Sequence, residues 1–294
     1  MLEDAKGSKN MLSKQIRNSF LLLIAALIWG VAFVAQSTGM EHIGPFTFTF
    51  LRNVIGTVVL LPIAFFSKEK SESAKSLIIS AVLSGIALGV ASCLQQYGML
   101  YTSVGKAGFL TALYIIIVPI IGFFFKKKCS WLTWVAVILA IVGVYFLCIT
   151  EEFTINKGDV YEFLCAFAFS VQIMIISKYT ERINAYRFAC IQFFTAGMVA
   201  FFPMLFTETI NWSGVSAAMI PLLYTGVMSS GVAYTLQIIG ERDLNPTVAA
   251  LIMSLESCIS VLAGWLLINQ TLSAREIVGC VIMFFSIILA QIKN

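Results

Sequence analysis

Charged residues are scarce in this sequence: they make up 12% of 294 residues, against about 25% in globular proteins. Hydrophobic residues reach 59% and the mean hydropathy is +0.92, which excludes a soluble globular domain. The sequence also lacks a Walker motif, an HExxH motif and any run of arginines inside an apolar segment. We therefore expect no ATP-driven pump, no voltage sensor, no enzyme, no cofactor and no bound metal.

The 7 cysteines do not have the spacing of a metal site or of a disulfide framework. Each lies in or next to an apolar stretch, at Cys93, Cys129, Cys148, Cys165, Cys190, Cys258 and Cys280. We interpret them as small apolar residues.

Ten long apolar runs fill the chain and predict an all-α integral membrane protein. A helix that crosses a bilayer needs about 20 mostly apolar residues, and only helices or closed barrels satisfy their backbone polar groups in lipid. The runs are continuous rather than alternating, which favours helices over a barrel. They cover residues 19–37, 44–66, 76–97, 104–125, 131–149, 159–177, 184–206, 213–239, 246–268 and 273–291.

The distribution of Lys and Arg predicts the orientation of these helices. With the N-terminus inside, most of the 19 Lys and Arg residues fall in inner segments, and the outer loops hold Lys106, Lys157 and Arg275. We therefore expect a multi-pass protein of the cytoplasmic (plasma) membrane, with both termini inside and residues 1–18 as a cytoplasmic segment. The net charge of +4 describes this inner face, so we expect no binding of nucleic acid.

The chain reads as five helices followed by five more. A shift of 142 residues pairs identical residues without a gap, among them Gln95 with Gln237 and Gly98 with Gly240. Earlier in the chain, a shift of 140 residues pairs Glu41 with Glu181 and Phe48 with Phe188. We predict a first five-helix repeat at residues 19–150 and a second at residues 151–294. Because five is odd, the second copy enters the membrane from the opposite side, which gives an inverted repeat of the kind used for alternating access.

Four stretches of sequence carry a resemblance to a known family. These are "LIWGVAFVAQ", "FLRNVIG", "SVGKAGFLTALYIIIVPIIG" and "NPTVAALIMSLESCISVLAGWLLINQTLSAREIVG". They resemble the EamA-type members of the drug/metabolite transporter superfamily, over residues 19–291. The chain departs from the family pattern at Ser257, where relatives frequently have proline, and at Gln270, where many have glutamate.

The resemblance implies a ten-helix carrier that often exports amino acids or other small metabolites. It implies that helices 1, 3, 4, 6, 8 and 9 surround a central cavity. Helices 5 and 10 then lie at the periphery, where a homodimer contact is expected.

Arg52 lies some eight residues into the second apolar run. An arginine near the bilayer centre costs about 2.5 to 3.5 kcal/mol on insertion scales, so it must face protein or water. Three interpretations are open: a structural arginine bonded to carbonyls or hydroxyls of a neighbouring helix, a direct contact to a substrate carboxylate, and a side chain that extends to the outer face.

Glu256 lies near the middle of the ninth run, where an isolated carboxylate is costly. It is a proton carrier, a partner for a substrate ammonium group, an acid paired with a base, or a hydrogen-bonded packing residue. The repeat places Tyr114 opposite it. The predicted substrate pathway consists of Trp29, Phe33, Gln95, Gln96, Tyr114, Gln237 and Glu256; packing and interhelical hydrogen bonding are the alternative roles of its aromatic and amide residues.

The sequence thus predicts a secondary carrier, embedded in the lipid bilayer, that exports a small-molecule substrate, most simply an amino acid. One repeat rocks against the other, and Arg52 holds the second helix in place. Proton exchange is the expected driving force and passive facilitation the alternative. A cationic drug exporter and a lipid-handling protein such as a scramblase are the rival functions. A membrane-embedded enzyme is disfavoured because no second catalytic group accompanies Glu256.

Overall fold

The computed structural model describes residues 2–69, 71, 73–102, 104–125, 130–148, 156–180, 183–268 and 273–291, and within these ranges it contains helices and short connections but no strand. In chain order the helices are α1 (Leu2–Met40), α2 (Pro45–Phe66), α3 (Ala74–Gly98), α4 (Val104–Ala112), α5 (Tyr114–Phe124), α6 (Trp131–Cys148), α7 (Lys157–Tyr179), α8 (Ala185–Thr207), α9 (Trp212–Ala217), α10 (Met219–Leu223), a π-helix (Tyr224–Ala233), α11 (Tyr234–Gly240), α12 (Pro246–Met253), α13 (Leu255–Ile268) and α14 (Ala274–Gln291). The predicted all-α class is confirmed.

Seven helical stretches of the described chain are long and apolar enough to cross a membrane. They are Lys14–Met40, Pro45–Phe66, Ala74–Gly98, Lys157–Tyr179, Ala185–Thr207, Met219–Gly240 and Pro246–Leu267. Three shorter apolar helices, at Leu110–Phe124, Trp131–Gly143 and Ile277–Leu289, occupy the positions of the other predicted runs. The chain is therefore a multi-span membrane protein; the count of ten spans and the inverted repeat stay predictions. Residues 2–18 of the predicted N-terminal segment are part of α1, which begins at Leu2.

Asparagine caps fix where several helices begin. The Asn156 side chain accepts a hydrogen bond from the Asp159 amide at 3.1 Å, and the Asp159 carboxylate accepts one from the Asn156 amide at 2.8 Å. This reciprocal capping box satisfies two amides that the helix itself leaves without partners. At the start of α8 the Asn184 side chain accepts a hydrogen bond from the Arg187 amide at 2.9 Å, without the reciprocal bond.

Two of the predicted continuous helices are interrupted near their middle. The run at 104–125 divides at Leu113 into α4 and α5, and the run at 246–268 divides at Ser254 into α12 and α13. At both points a backbone amide reaches the carbonyl three residues back, from Ile116 to Leu113 at 2.9 Å and from Ser257 to Ser254 at 3.1 Å. Each of the two helices therefore contains one tightened turn, and the two turns lie at nearly equivalent positions of the two halves.

The eighth predicted run departs furthest from a regular α-helix, because ten of its residues form a π-helix. Gly226 lets this π-helix approach α2 closely, since a Cβ atom there would lie 3.2 Å from the Arg52 carbonyl oxygen. Helical segments of this kind occur frequently at functional sites. The irregular segment thus lies directly beside the helix that carries Arg52.

The helices pack in pairs. α2 lies along α8, α3 lies along both α7 and α8, α6 lies along α14, and α1 lies along α13, α11 and the π-helix. Gly85 of α3 makes one of these contacts close, since a Cβ atom on it would lie 2.6 Å from the Gln192 carbonyl oxygen of α8. The interrupted helices pack against each other, α4 against α13 and α5 against α12.

Candidate functional site

A cavity lies where the interrupted helices meet α1, α2, α3, α7, α11 and the π-helix. Its free space is about 40 Å³, which is room for a few water molecules. The residues that line it are Trp29, Phe33, Gln36, Arg52, Gln95, Thr111, Tyr114, Phe169, Gln172, Ile173, Ser229, Tyr234, Gln237, Met253 and Glu256.

The structure brings together six of the seven residues of the predicted pathway, and Arg52 with them. Trp29, Phe33, Gln95, Tyr114, Gln237 and Glu256 all line the cavity. Gln96 does not: it is fully buried, and neither atom of its amide has a hydrogen-bond partner in the described chain. Gln96 is therefore not a cavity residue.

Glu256 and Tyr114 form one wall of the cavity. The Tyr114 hydroxyl donates a hydrogen bond to Glu256 Oε1 at 2.9 Å, and Glu256 is 7% exposed. Each residue lies within two positions of a helix interruption, so the two tightened turns set the direction of both side chains. No described Lys or Arg side chain comes within 4.0 Å of the Glu256 carboxyl group. The interpretation of Glu256 as an acid paired with a base is therefore not supported.

Arg52 lies on another wall and has an amide for a partner. Its Nη1 donates a hydrogen bond to Gln36 Oε1 at 2.8 Å, and its Nε has no partner in the described chain. The side chain is buried in the protein interior, which excludes the interpretation in which it extends to the outer face. No carboxylate of the described residues lies within 4.0 Å of the guanidinium. Arg52 and Glu256 therefore line one cavity without a direct ion pair between them.

Aromatic rings form much of the remaining surface. The rings of Trp29 and Tyr234 meet edge to face with centroids 4.7 Å apart, and Tyr234 also contacts Phe193 at 5.4 Å. Trp29 Nε1 has no hydrogen-bond partner in the described chain. The cavity thus offers apolar surface together with one unused indole donor.

Sequence reasoning missed several lining residues. Phe169 was recoverable, because the 140-residue shift that relates the first helices of the two repeats pairs it with Trp29. Gln172 interrupts an apolar run, and its amide exchanges hydrogen bonds of 3.3 Å with that of Gln237. The sequence did not indicate that Gln36 lines the cavity, because this residue lies at the polar end of the first apolar run.

The sequence of this chain matches the model of a known protein family. The sequence model of the EamA-like transporter family matches residues 17–149 and, a second time, residues 156–291. These two matches cover most of the chain.

Individual relatives agree with this family match. An uncharacterized transporter of Archaeoglobus fulgidus is 28% identical over 282 residues, which are 92% of this chain and 85% of that protein. The uncharacterized transporter YwfM of Bacillus subtilis is 26% identical over 282 residues, covering 92% of both proteins. A protein known from a crystal structure has the same fold, with a TM-score of 0.77 and 17% identity over 94% of this chain and 96% of that one.

Proposed function

This chain belongs to the EamA-like transporter family, and from that premise we propose that it is a secondary carrier that exports amino acids by alternating access. One observation carries the choice of substrate. Arg52 and Glu256 line the same cavity, and neither has a described partner of opposite charge within 4.0 Å. A zwitterion supplies both missing partners.

The energetic reason lies in desolvation. A charged group taken out of water is costly unless it is paired and hydrogen-bonded. The carboxylate of an amino acid would accept hydrogen bonds from the Arg52 guanidinium, including its unpartnered Nε. The ammonium group would donate to Glu256, whose second oxygen is not used by Tyr114. Charge-assisted hydrogen bonds of this kind are about twice as strong as neutral ones.

The remaining surface of the cavity favours an apolar or aromatic side chain on the substrate. Trp29, Phe33 and Phe169 present rings to the cavity, and Ile173 and Met253 add aliphatic surface. Burial of an apolar side chain against such residues is favourable by about 25 cal/mol per Å².

Two inverted five-helix repeats are supported by contacts that recur in the two halves. A Cβ atom on Gly98 would lie 3.1 Å from the Gly158 carbonyl oxygen, and a Cβ atom on Gly240 would lie 3.0 Å from the Asn18 carbonyl oxygen. The shift of 142 that relates Gly98 to Gly240 and the shift of 140 that relates Asn18 to Gly158 are those found in the sequence. The same interhelical contact is therefore built twice.

The small size of the cavity supports alternating access. An amino acid needs more than the 40 Å³ available, so the surrounding helices must separate to admit it. The interruptions at Leu113 and Ser254 adjoin the cavity and are suitable hinges, because the regular backbone ladder is already broken there. The energy for export comes from proton exchange. The carrier lies in the plasma membrane with both termini inside. α6 and α14 form the contact of a homodimer.

A lipophilic cation is a poorer substrate for this cavity. Glu256 and the aromatic rings suit such a cation, but Arg52 lines the same small space and repels it. Glu256 alone would have favoured the cationic drug exporter; the guanidinium favours the amino acid.

The experiment that tests the proposal uses purified protein in proteoliposomes loaded with the twenty common amino acids. Mass spectrometry measures release, with and without an imposed pH gradient. We expect selective release of apolar or aromatic amino acids. Release of a lipophilic cation without any amino acid, or flipping of fluorescent lipids, would instead establish one of the rival functions.

A further inference from the structure

Two buried glutamates lie next to the cavity and take no part in its lining: Glu162 of α7, which is 0% exposed, and Glu241, which is 2% exposed and directly follows α11. Each has one carboxyl oxygen without a hydrogen-bond partner in the described chain. Nothing in the sequence pattern singled them out, because both lie close to the ends of apolar runs.

Each glutamate is connected to the cavity by an amide that lines it. Gln95 Nε2 donates to the Thr111 hydroxyl at 3.3 Å, and that hydroxyl donates to Glu162 Oε2 at 3.1 Å. On the other side, Gln237 Nε2 donates to Glu241 Oε1 at 2.8 Å. Gln95 and Gln237 are the glutamines that the 142-residue shift relates to each other.

The two glutamates lie toward opposite ends of the bundle. Glu162 follows Tyr161, whose ring meets that of Tyr97 at 5.1 Å, and Phe46 at the start of α2 stacks on Tyr97 at 5.7 Å. We call this the Tyr97 end. Glu241 precedes Arg242, which binds Glu69 beyond the last residue of α2 at 2.6 Å. We call this the Arg242 end, and α2 runs from one end to the other.

No described cation neutralises Glu162. Lys157 lies with its ammonium group 3.6 Å from the centre of the Tyr101 ring. Asp159 and Cys165 are the titratable neighbours on its own helix, while α3 and α4 contribute Gly98 and Thr111, which carry no charge. An ionised carboxyl group that is buried without a paired cation is costly.

Glu241 is equally without a charge partner. The Arg242 guanidinium binds Glu69 and the Ile183 carbonyl, and Arg17 on α1 bonds to Asn18. Glu241 lies past the end of its membrane span, and burial raises the pKa of its carboxyl group well above the usual value. Burial therefore favours the protonated form of the Glu241 carboxyl group.

We infer that Glu162 and Glu241 are the two proton-binding sites of this carrier, one on each side of the substrate cavity. One carboxylate takes up a proton when its end of the bundle opens to water. The proton crosses the water-filled cavity to the other carboxylate, which releases it when the second end opens. The proton and the substrate therefore use the same cavity, which lies between Gln95 and Gln237. A substrate ammonium group bound there repels a proton and opposes its passage. This inference rests on the proposed carrier function and assigns its coupling ion to residues other than Glu256.

Infrared spectroscopy tests the two sites without any substrate. The carboxyl absorption of the purified protein is recorded while the pH is raised, for the wild-type protein, Glu162→Gln and Glu241→Gln. The exposed Glu41 provides the matched control, Glu41→Gln. We expect a protonated-carboxyl band that disappears with rising pH, and a loss of part of it in each buried variant but not in the control. A wild-type protein without such a band, or a band unchanged in both variants, would overturn the inference.

Transport then separates proton coupling from carrier function. Proteoliposomes are loaded with the twenty common amino acids, exchange with a labelled external mixture is measured at equal pH, and an entrapped dye reports proton movement. We expect each buried variant to keep exchange within about threefold of wild type while proton movement per exported amino acid falls at least tenfold. Undiminished proton movement in both variants would contradict the inference. An absence of exchange in the wild-type protein would instead contradict the carrier function, and the infrared result would still decide the proton sites.

Discussion

The two halves of the chain share their helix interruptions and close contacts but differ in the charges that they place on the cavity. Shifts of 140 and 142 residues pair Arg52 with Gln192, and Glu256 with Tyr114. Gln192 accepts a hydrogen bond from Ser84 at 2.7 Å and is not a cavity residue. The first half thus supplies the cation and the second half supplies the anion. The helical scaffold is therefore repeated in the two halves, whereas the charged groups that we assign to substrate binding are not repeated.

We expect the largest effect from replacing Arg52 by glutamine, the residue at the equivalent position 192 of the second half. Arg52→Gln copies the residue of the second half and removes the guanidinium. The loss of a charge-assisted pair, about 3 kcal/mol, lowers amino-acid exchange by about 100-fold. Exchange in proteoliposomes measures this, and the melting temperature of the purified variant is the control. A lower melting temperature together with exchange by the folded protein at the wild-type rate would show that Arg52 only holds α2 in place.

Removing the negative charge has the next largest effect. Glu256→Gln keeps the shape and the hydrogen bond to Tyr114, so we expect the protein to fold and exchange of amino acids to fall by about tenfold, corresponding to about 1.4 kcal/mol. Exchange of an acid that lacks the amino group should be unchanged within error. Equal losses for both compounds would contradict the assignment of Glu256 to the ammonium group.

One close contact differs between the two halves, at the related glycines Gly89 and Gly231. A Cβ atom on Gly89 would lie 3.0 Å from the Ala196 carbonyl oxygen, whereas one on Gly231 would have its closest neighbour at 3.5 Å. Overpacking costs about 1 to 3 kcal/mol, so Gly89→Ala should lower the melting temperature by several degrees. Gly231→Ala serves as the matched control and should leave it nearly unchanged. Equal effects would show that the two halves are packed alike at this contact.

The smallest effect concerns the start of α2. The Glu208 carboxylate, just beyond α8, accepts hydrogen bonds from the amides of Phe46 and Thr47 at 2.9 and 2.7 Å. Glu208→Gln removes the charge next to a helix N-terminus, which stabilises by about 0.3 to 1 kcal/mol. We expect a fall in melting temperature of a few degrees at most, without loss of exchange. Thr209→Ala is the control in the same connection, and a larger fall in that variant would contradict the capping role.

Hydropathy predicted the helices well because each apolar run averages over about 20 residues. The predicted ends of α2, α7 and α8 lie within about two residues of the observed ones. The interruptions at Leu113 and Ser254 and the π-helix were missed. They change the partner of a backbone amide by one residue and leave the mean hydropathy of the segment unaffected.

The site was predicted in part for a related reason. Gln95 and Gln96 are consecutive, so they point in directions about 100° apart on the helix, and the sequence alone does not say which one faces the cavity. Packing decides it: Gln95 meets Thr111, while Gln96 is buried elsewhere. Glu162 was missed because its connection to the cavity depends on the tertiary contacts of α3, α4 and α7. Glu241 was missed because it lies just past the end of an apolar run, although it is only one helical turn from Gln237.

The central claim is that the cavity recognises a zwitterion through Arg52 and Glu256. Competition for exchange in proteoliposomes tests it most directly, with phenylalanine, phenethylamine and 3-phenylpropionate as a matched series that keeps the ring and removes one charged group at a time. The account predicts that phenylalanine competes at least tenfold better than either single-charge compound, and that Arg52→Gln abolishes its advantage over the amine. Competition by phenethylamine equal to that of phenylalanine would contradict the account and point to a carrier of organic cations.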